Sequence, residues 1–369
     1  MEHKSDWFKS IREGHLKHPN GYIRDLIMKN HTIVSIFWII CISIGLIHFE
    51  TKGQENTGLP TSFKWKINPP LVSPAKRTND PCYSVKDPSI VFYNGRWHLF
   101  CTIRSQKRTH QIEYLSFDKW ENANNAPRHI LKLTDGYFCA PQVFYFTPHK
   151  KWYLIYQIIE PSRKPSLQPA FSTTTEIDKP ESWSKPTLLF STAPRNVTQW
   201  IDFWITCDNK KAHLFFTSMD GKMWHSETDI EKFPDGWKEP TVVLRGDIFE
   251  ASHTYKVKGE NIYLTIVEAQ NAGRRYYKAY TATRLDGEWK PLADTLENSF
   301  ASPTNAKHIS GHWTDSFSHG EIIRSGYDEK LEIDPTNLKF LFQGVSDADR
   351  TGKPYGQIPW QLGMLFPES

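Results

Sequence analysis

The feature that most constrains the fold is an internal repeat of about 55 residues, which recurs over roughly residues 70–365. Each copy has two runs rich in β-branched and aromatic residues around a tight turn, a pattern typical of a β-hairpin. In the first four copies a third strand follows the hairpin and is closed by a tryptophan. These tryptophans are Trp120, Trp183, Trp237 and Trp289. A fifth, looser copy comprises 321–324, 338–343 and 360–365.

The repeat predicts the architecture. A three- or four-stranded sheet that recurs at this period indicates one blade of a β-propeller, because such a sheet cannot cover both of its faces alone. We therefore expect an all-β, five-bladed propeller over residues 61–369, with the short run at 63–67 completing the last blade and closing the ring. A β-sandwich with coincidental spacing is the alternative that the repeat leaves open.

Composition and motifs exclude several functional classes. Lys and Arg total 45 against 41 Asp and Glu, a formal net charge of +4, which argues against a nucleic-acid binder with its concentrated basic surface. The sequence has no P-loop, no dinucleotide fingerprint, no His-Glu-x-x-His zinc motif and no Gly-x-Ser-x-Gly elbow. Aromatic residues make up 14% of the chain and either fill a core or form stacking platforms for a flat ligand such as a sugar. The cysteines of the repeat show no metal-ligand spacing and leave disulfides and free thiols equally open.

The N-terminal region differs from the repeat. The uncharged segment 33–47 has 15 residues, fewer than the about 20 that a membrane span needs, and it better matches the apolar core of a signal peptide. If translation starts at Met28, a short basic head precedes this core. Read from Met1, a polar head of residues 1–32 precedes it, and the segment becomes a signal-anchor. Residues 48–60 then form a linker. Both interpretations place the repeat outside the cell, either secreted or as a type II membrane protein, and the glycosylation sequon at Asn196 agrees with this.

Acidic residues recur where the first strand of a copy begins. Asp87, Asp202 and Glu250 occupy nearly equivalent positions in copies one, three and four. Because the first strand of each propeller blade lines the axis, we expect three carboxylates to converge at the mouth of one channel. A single acid in such a place is more often a turn or strand-edge residue. Like charges held close cost free energy, so three in register indicate chemistry rather than folding.

Glycosidic bond cleavage requires such carboxyl groups. One protonates the leaving oxygen and another activates water, and the two must differ in pKa. A third carboxylate beside the acid would raise its pKa and help to align it. Lys86 and Arg324 are candidates for binding sugar hydroxyls, although structural ion pairs explain them equally well. His319 is either a calcium or water ligand at the axis or an ordinary hydrogen-bonding residue.

Eight segments follow one another in the order of a known family. They are 85–95, 140–146, 152–157, 200–208, 249–252, 273–277, 318–326 and 359–365. Together they resemble glycoside hydrolase family 62, the α-L-arabinofuranosidases that act on arabinoxylan. The resemblance covers about residues 60–365 and leaves 1–58 outside it.

The resemblance implies a five-bladed propeller, an inverting mechanism and a role for each site residue. Asp87 matches the general base, Glu250 the general acid, and Asp202 the residue that tunes and orients the acid. An inverting enzyme separates the carboxyls of acid and base by about 6.5–9.5 Å. His319 matches the histidine near a structural calcium ion at the axis, which the chemistry does not require. The implied substrate-binding residues are Lys86, Gln142, Arg324 and Tyr355. Gly356 replaces an Asn of the family, which puts one contact with the xylan backbone in doubt.

The expected protein is thus a monomeric, non-reducing-end α-L-arabinofuranosidase with no nucleic-acid partner. It would release single α-1,2- or α-1,3-linked arabinofuranose units from arabinoxylan or its oligosaccharides. A family 43-like hydrolase of arabinan or xylo-oligosaccharides uses the same arrangement of acids and is the first alternative. The second is a non-catalytic carbohydrate-binding propeller, against which the presence of all three carboxylates argues.

Overall fold

The structure is a computed structural model that describes residues 58–368. The predicted polar head 1–32 and apolar segment 33–47 lie outside these residues, as does most of the predicted linker 48–60. Within the described part of the chain, no helix is both long enough and apolar enough to cross a membrane.

The residues from 58 to 368 form five sheets, which are the blades of a propeller. Strand β1 (Trp65–Ile67) precedes the first blade. Blade I contains β2 (Cys82–Tyr93), β3 (Arg96–Ser105), β4 (Gln111–Phe117) and β5 (Arg128–Ile130). Blade II contains β6 (Phe138–Phe146), β7 (Lys151–Ile159), β8 (Leu167–Thr174) and β9 (Thr187–Leu188). Blade III contains β10 (Ile201–Cys207), β11 (Lys211–Thr217), β12 (Lys222–Asp229) and β13 (Thr241–Arg245).

The other two blades share the last part of the chain. Blade IV contains β14 (His253–Val257), β15 (Tyr263–Asn271), β16 (Arg274–Ala282) and β17 (Lys290–Ala293). The remaining strands are β18 (Ala306–His308), β19 (Ser316–Ile322), β20 (Glu332–Ile333), β21 (Phe340–Val345) and β22 (Gln361–Pro367). A single helical turn, α1 (Asp347–Arg350), and short 3₁₀ turns lie in the links between strands. The 3₁₀ turns are Trp120–Asn125, Thr147–His149, Pro180–Ser182 and Tyr355–Gln357.

Each blade is an antiparallel meander built on the predicted hairpins. In the first hairpin, Asn94 and Gly95 have φ angles of 48° and 75°, and a two-residue type I′ turn requires positive φ at both positions. The predicted tryptophans lie in the links between the third and fourth strands of blades I to IV. The five-bladed propeller is therefore confirmed, and the sandwich alternative is wrong. Cys82, Cys101, Cys139 and Cys207 are free thiols.

The N-terminal strand closes the ring. Blade V has the strand order β19-β21-β22-β1-β18, so its fourth strand comes from the other end of the domain. Strand β1 pairs antiparallel with β22, with Trp65 opposite Pro367. The predicted closure by the run at 63–67 is confirmed. Strands β18 and β20 were not predicted, and each adds to a blade edge in parallel.

Trp65 anchors this closure. Its side chain is 2% exposed, its ring centroid lies 5.4 Å from that of Phe300, and its indole N–H donates to the Phe300 carbonyl at 2.5 Å. We expect Trp65→Ala to lower the free energy of unfolding by about 3–5 kcal/mol, because it leaves a large cavity and removes a buried hydrogen bond. Chemical denaturation measures the change. Phe92→Ala, at a side chain that is 47% exposed, is the control and should cost about 1 kcal/mol or less. Equal losses in both variants would contradict an anchoring role.

Candidate active site

The innermost strands carry a bulge at the same place in successive blades. Register shifts lie between Lys86 and Ser89 in β2, between Cys139 and Gln142 in β6, between Ile201 and Trp204 in β10, and between Ser318 and Gly320 in β19. Asp87, Ala140 and Asp202, at the first three of these places, have left-handed backbone conformations, with φ angles of 46°, 53° and 58°. Ala251, just before β14 in blade IV, has a φ angle of 52° and occupies the corresponding place there. Bulges re-aim side chains and often lie beside active sites.

The amide of each bulge residue is capped by a side chain of the preceding blade, and we call these five capped positions the bulge ring. The pairs, amide first, are Asp87 with Gln343 at 2.8 Å, Ala140 with Thr102 at 2.9 Å, Asp202 with Gln157 at 3.1 Å, Ala251 with Asp202 at 3.1 Å, and His319 with Glu268 at 2.8 Å. Because an unpaired buried amide is costly, each cap fixes its bulge residue relative to the neighbouring blade.

The bulge ring brings three side chains together at the channel. The Nδ1 atom of His319 lies 3.6 Å from Asp87 Oδ1 and 3.5 Å from Asp202 Oδ2. All three residues are at most 7% exposed. Burial alone would lower the pKa of His319, but the two carboxylates outweigh it and raise the pKa to about 9. The imidazolium therefore lies between two carboxylates from blades I and III.

Glu250 joins this group from a different register position. It lies one residue before the bulge residue Ala251, so it corresponds to Lys86 rather than to Asp87 and Asp202. Arg275 Nη1 contacts Glu250 Oε1 at 3.2 Å and Glu268 Oε1 at 2.5 Å. Its guanidinium also lies 4.1 Å from the ring centroid of Phe249.

The environments of Glu250 and Asp87 move their pKa values in opposite directions. Burial is the largest influence on Glu250 and, with the negative charges of Glu268 and Asp202, raises its pKa to about 8 against the opposing charge of Arg275. Burial also acts to raise the pKa of Asp87. There, however, the charges of Lys86 and His319 and a hydrogen bond from Thr102 prevail, and the pKa falls below its usual value. A protonated carboxyl and an ionised one in the same site match a general acid and a general base.

The structure divides the predicted substrate-binding residues into two groups. Lys86 is 5% exposed, and its Nζ lies 5.0 Å from the ring centroid of Tyr355, which is 39% exposed at the rim. Gln142 instead bonds the backbone of Ile205 in the next blade, through its amide N–H at 2.6 Å and its carbonyl at 2.7 Å. The side chain of Arg104 fills the space that a side chain at position 356 would occupy.

Arg324 is also committed to contacts between blades. Its Nη2 donates to the carbonyls of Ile90 and Val143 at 2.8 and 2.9 Å, and its Nε lies 2.5 Å from Glu321 Oε1. Since Glu321 also accepts the Ile90 amide at 3.1 Å, this ion pair ties blades I, II and V together. These bonds within the protein do not support a contact of Gln142 or Arg324 with substrate, and that contact stays a prediction.

His319 does not resemble a calcium ligand in this arrangement. Ca²⁺ takes about 6–8 oxygen ligands. His319 offers nitrogen instead, and the neighbouring oxygens of Asp87 and Asp202 already pair with the imidazole. The donor set fits a protonated histidine better than a bound calcium ion, and no step of the mechanism below depends on calcium.

Sequence reasoning missed the residues that support the acids from neighbouring strands. Arg275 lies within the matching segment 273–277 but received no role. Thr102, Gln157, Glu268 and Gln343 occupy one position on the second strand of their blades, opposite the bulge. An alignment of the copies on their second strands would have shown that this position is polar in each of the four.

The comparisons with known proteins agree with this geometry. A sequence profile described as Glycosyl hydrolase family 62 matches residues 65–366. The chain is 40% identical over 319 residues to Alpha-L-arabinofuranosidase C of Cellvibrio japonicus (strain Ueda107), a match that covers 85% of this chain and 48% of that protein. This chain thus spans about half the length of that curated relative.

Two solved structures are similar over almost their whole length. An α-L-arabinofuranosidase from Podospora anserina, in complex with cellotriose, is 35% identical with a TM-score of 0.78, covering 85% of this chain and 99% of that one. A GH62 hydrolase in complex with xylotriose is 34% identical with a TM-score of 0.77, covering 83% of this chain and 98% of that one.

Proposed function

This chain belongs to glycosyl hydrolase family 62, and from that premise we propose that it is an inverting α-L-arabinofuranosidase of arabinoxylan. It removes single α-1,2- or α-1,3-linked arabinofuranose side chains from the xylan main chain. The observation that carries the proposal is the pair of buried carboxyls, Glu250 and Asp87, whose pKa values are shifted in opposite directions. The names of the similar proteins, arabinofuranosidases and a xylotriose complex, support the substrate class.

In the proposed reaction Glu250 and Asp87 act on opposite sides of the sugar. Glu250 gives its proton to the xylose oxygen as the bond from that oxygen to the anomeric carbon breaks. Asp87 takes a proton from a water molecule, whose oxygen forms the new bond to the same carbon from the opposite face. The product has inverted configuration, and exchange of protons with solvent restores both carboxyls.

Asp202 and His319 prepare the pair for this step. Asp202 Oδ2 accepts the Ala251 amide at 3.1 Å and so holds the backbone next to Glu250, while its negative charge favours the protonated form of Glu250. The positive charge of His319 favours the ionised form of Asp87. In this proposal Lys86 donates hydrogen bonds to hydroxyl groups of the sugar, and Tyr355, whose ring centroid lies 5.0 Å from Lys86 Nζ, offers an apolar surface at the rim.

Incubation with soluble arabinoxylan tests the proposal, with NMR of the anomer that is released first. We expect free arabinose whose first-formed anomer is β. An initial α anomer would contradict inversion. Linear arabinan is the matched substrate for the family 43-like alternative, and release from arabinan alone would favour that alternative. Binding of arabinoxylan without any released sugar would favour a non-catalytic propeller.

The pKa shifts predict the pH dependence of activity. Glu250 must be protonated, and its raised pKa keeps the proton in place until the pH rises through about 8. Asp87 must be ionised, and its lowered pKa preserves the base until the pH falls below the usual range of an aspartate. We expect a bell-shaped profile of kcat/KM with its alkaline limb near pH 8.

Glu268→Gln checks the cause of the alkaline limb. The variant removes a negative charge beside Glu250 and releases Arg275 from one partner, and both changes favour the ionised form of Glu250. The carbonyl oxygen of Gln still caps His319. We expect the alkaline limb to move to lower pH. A limb at unchanged pH would assign it to a group other than Glu250.

The remaining expectations are proposals that rest on the sequence. We propose export of the propeller, through a cleaved signal or a membrane anchor at 33–47, and the side chain of Asn196 in the sequon is exposed. N-terminal sequencing of the exported protein separates the two routes. A monomeric state stays a prediction, testable by sedimentation. The structural calcium ion at the axis also stays a prediction, which the donor set around His319 does not favour and which metal analysis of the purified protein tests.

A further inference from the structure

Three metal-binding side chains meet on the second and third strands of blade III, away from the acids at the channel. His213 lies on β11, and His225 and Glu227 lie on β12. His213 pairs in register with Glu227, and the His225-x-Glu227 spacing puts both β12 side chains on the same face of the sheet. One ligand atom from each of the three residues lies within 4.8 Å of the others, and all three residues are buried.

The two imidazoles are oriented as a pair of nitrogen donors. His213 Nδ1 lies 2.9 Å from His225 Nε2, and the other ring nitrogen of His213, Nε2, lies 3.2 Å from Asp208 Oδ2. If that Nε2 carries the proton and donates a hydrogen bond to Asp208, the lone pair of Nδ1 accepts the hydrogen bond from His225 Nε2. A carboxylate behind a histidine in this way is the usual support of a metal-binding imidazole.

Glu227 brings its carboxylate to the same place, and one of its two oxygens has no hydrogen-bond partner among the described residues. Its Oε1 accepts hydrogen bonds from Lys211 at 2.5 Å and Lys238 at 2.6 Å. Its Oε2 is buried and has no hydrogen-bond partner among the described residues. Glu227 as a whole is only 9% exposed. A buried carboxylate oxygen is normally bonded, because leaving it unpaired costs free energy. The two lysines are 32% and 64% exposed, so solvent screens their charges.

We propose that His213, His225 and Glu227 bind one Zn²⁺ ion, with water as the fourth ligand and Asp208 as the support of His213. Two imidazole nitrogens and one carboxylate oxygen are a donor set that tetrahedral zinc accepts. Calcium and magnesium prefer oxygen ligands alone and are disfavoured by the two nitrogens. Binding would replace the hydrogen bond between the two nitrogens: His225 would carry its proton on Nδ1 instead of Nε2, and the contact would open by about a few tenths of an ångström.

The site would stabilise blade III rather than take part in sugar chemistry. It joins neighbouring strands β11 and β12, whereas the acid Asp202 of the same blade lies on β10. The ring of Phe215 packs between the cluster and the next blade, with its centroid 5.0 Å from His225 and 5.9 Å from Trp289 of blade IV. A metal that binds only the folded state stabilises that state by mass action.

Titration of the full, untagged chain with Zn²⁺ tests the site after treatment with a chelator. Equilibrium dialysis with metal analysis gives stoichiometry and affinity, and Co²⁺ in place of Zn²⁺ reports tetrahedral geometry by visible absorption. We expect the wild type to bind one ion. His225→Gln and Glu227→Gln should lower the affinity for this ion by about 100-fold or more, and Asp208→Asn should lower it by about 10–100-fold. His149→Gln, at a histidine of blade II that bonds Tyr153, is the matched control and should leave this ion in place.

The variants also separate this site from histidines elsewhere in the chain. Equal Zn²⁺ binding by the wild type, His225→Gln and Glu227→Gln would overturn the proposal, as would the absence of saturable binding to the wild type. Circular dichroism checks the fold of each variant. If His225→Gln does not fold, Glu227→Gln decides, because it changes one oxygen to an amide group of nearly the same size.

Discussion

Glu250→Gln is expected to lower kcat on arabinoxylan by about 10²–10⁴-fold and to leave the fold intact. The amide has nearly the volume of the carboxyl and still accepts a hydrogen bond from Arg275, which now contacts Glu250 at 3.2 Å. It has no acidic proton for the xylose oxygen, so the leaving group would depart as an unprotonated alkoxide. Initial rates of arabinose release at saturating substrate measure the loss.

Glu329→Gln is the matched control for this variant. Glu329 is also buried, at 7% exposure, and its carboxylate accepts hydrogen bonds from Thr147 in blade II rather than from the residues around Glu250. We expect it to keep kcat near the wild-type value. A folded Glu250→Gln protein with wild-type turnover would remove Glu250 from the role of acid.

Asp87→Asn is expected to cause a loss of similar size, about 10²–10⁴-fold in kcat, for a different reason. Asp87 has a φ of 46°, in the left-handed region, where Asn is among the few residues tolerated as well as Asp. Its amide would keep the cap from Gln343, so the substitution removes the base with little backbone strain. Asp87→Ala would add that strain and is the less informative variant.

Azide distinguishes the roles of the two acids. It attacks the anomeric carbon without losing a proton, so it can replace water in Asp87→Asn. Turnover should then be restored, and the product should be an arabinofuranosyl azide of inverted configuration. It cannot protonate the leaving oxygen, so it should not restore Glu250→Gln. Rescue of Glu250→Gln instead of Asp87→Asn would exchange the assigned roles, and a product azide of retained configuration would contradict direct displacement.

The architecture was predictable because the repeat is strongly periodic. The first three strands of each of blades I to IV have their own apolar pattern, and the tight turns mark their ends. Strands β9 (Thr187–Leu188) and β20 (Glu332–Ile333) have two residues each, and hydrogen bonds at a sheet edge define them rather than a pattern. Such short edges depend on tertiary contacts, to which strand propensity is subordinate.

The site was predictable where chemistry and repeat coincide. Asp87 and Asp202 hold the same bulge position, so aligning the copies brought them together. The predicted equivalence of Glu250 with Asp87 and Asp202 was wrong by one residue. The backbone of Glu250 pairs with Glu268 ahead of β14, and the bulge follows at Ala251. The role of Arg275 depends on a contact with the neighbouring strand that a linear pattern does not contain.

The closure of blade V has a consequence for engineering the protein. Since Trp65 lies opposite Pro367 at the outer side of one sheet, a short peptide can join the two ends of the domain. New termini can then be cut into a surface link between other blades, so that a circularly permuted gene encodes the same arrangement around the channel.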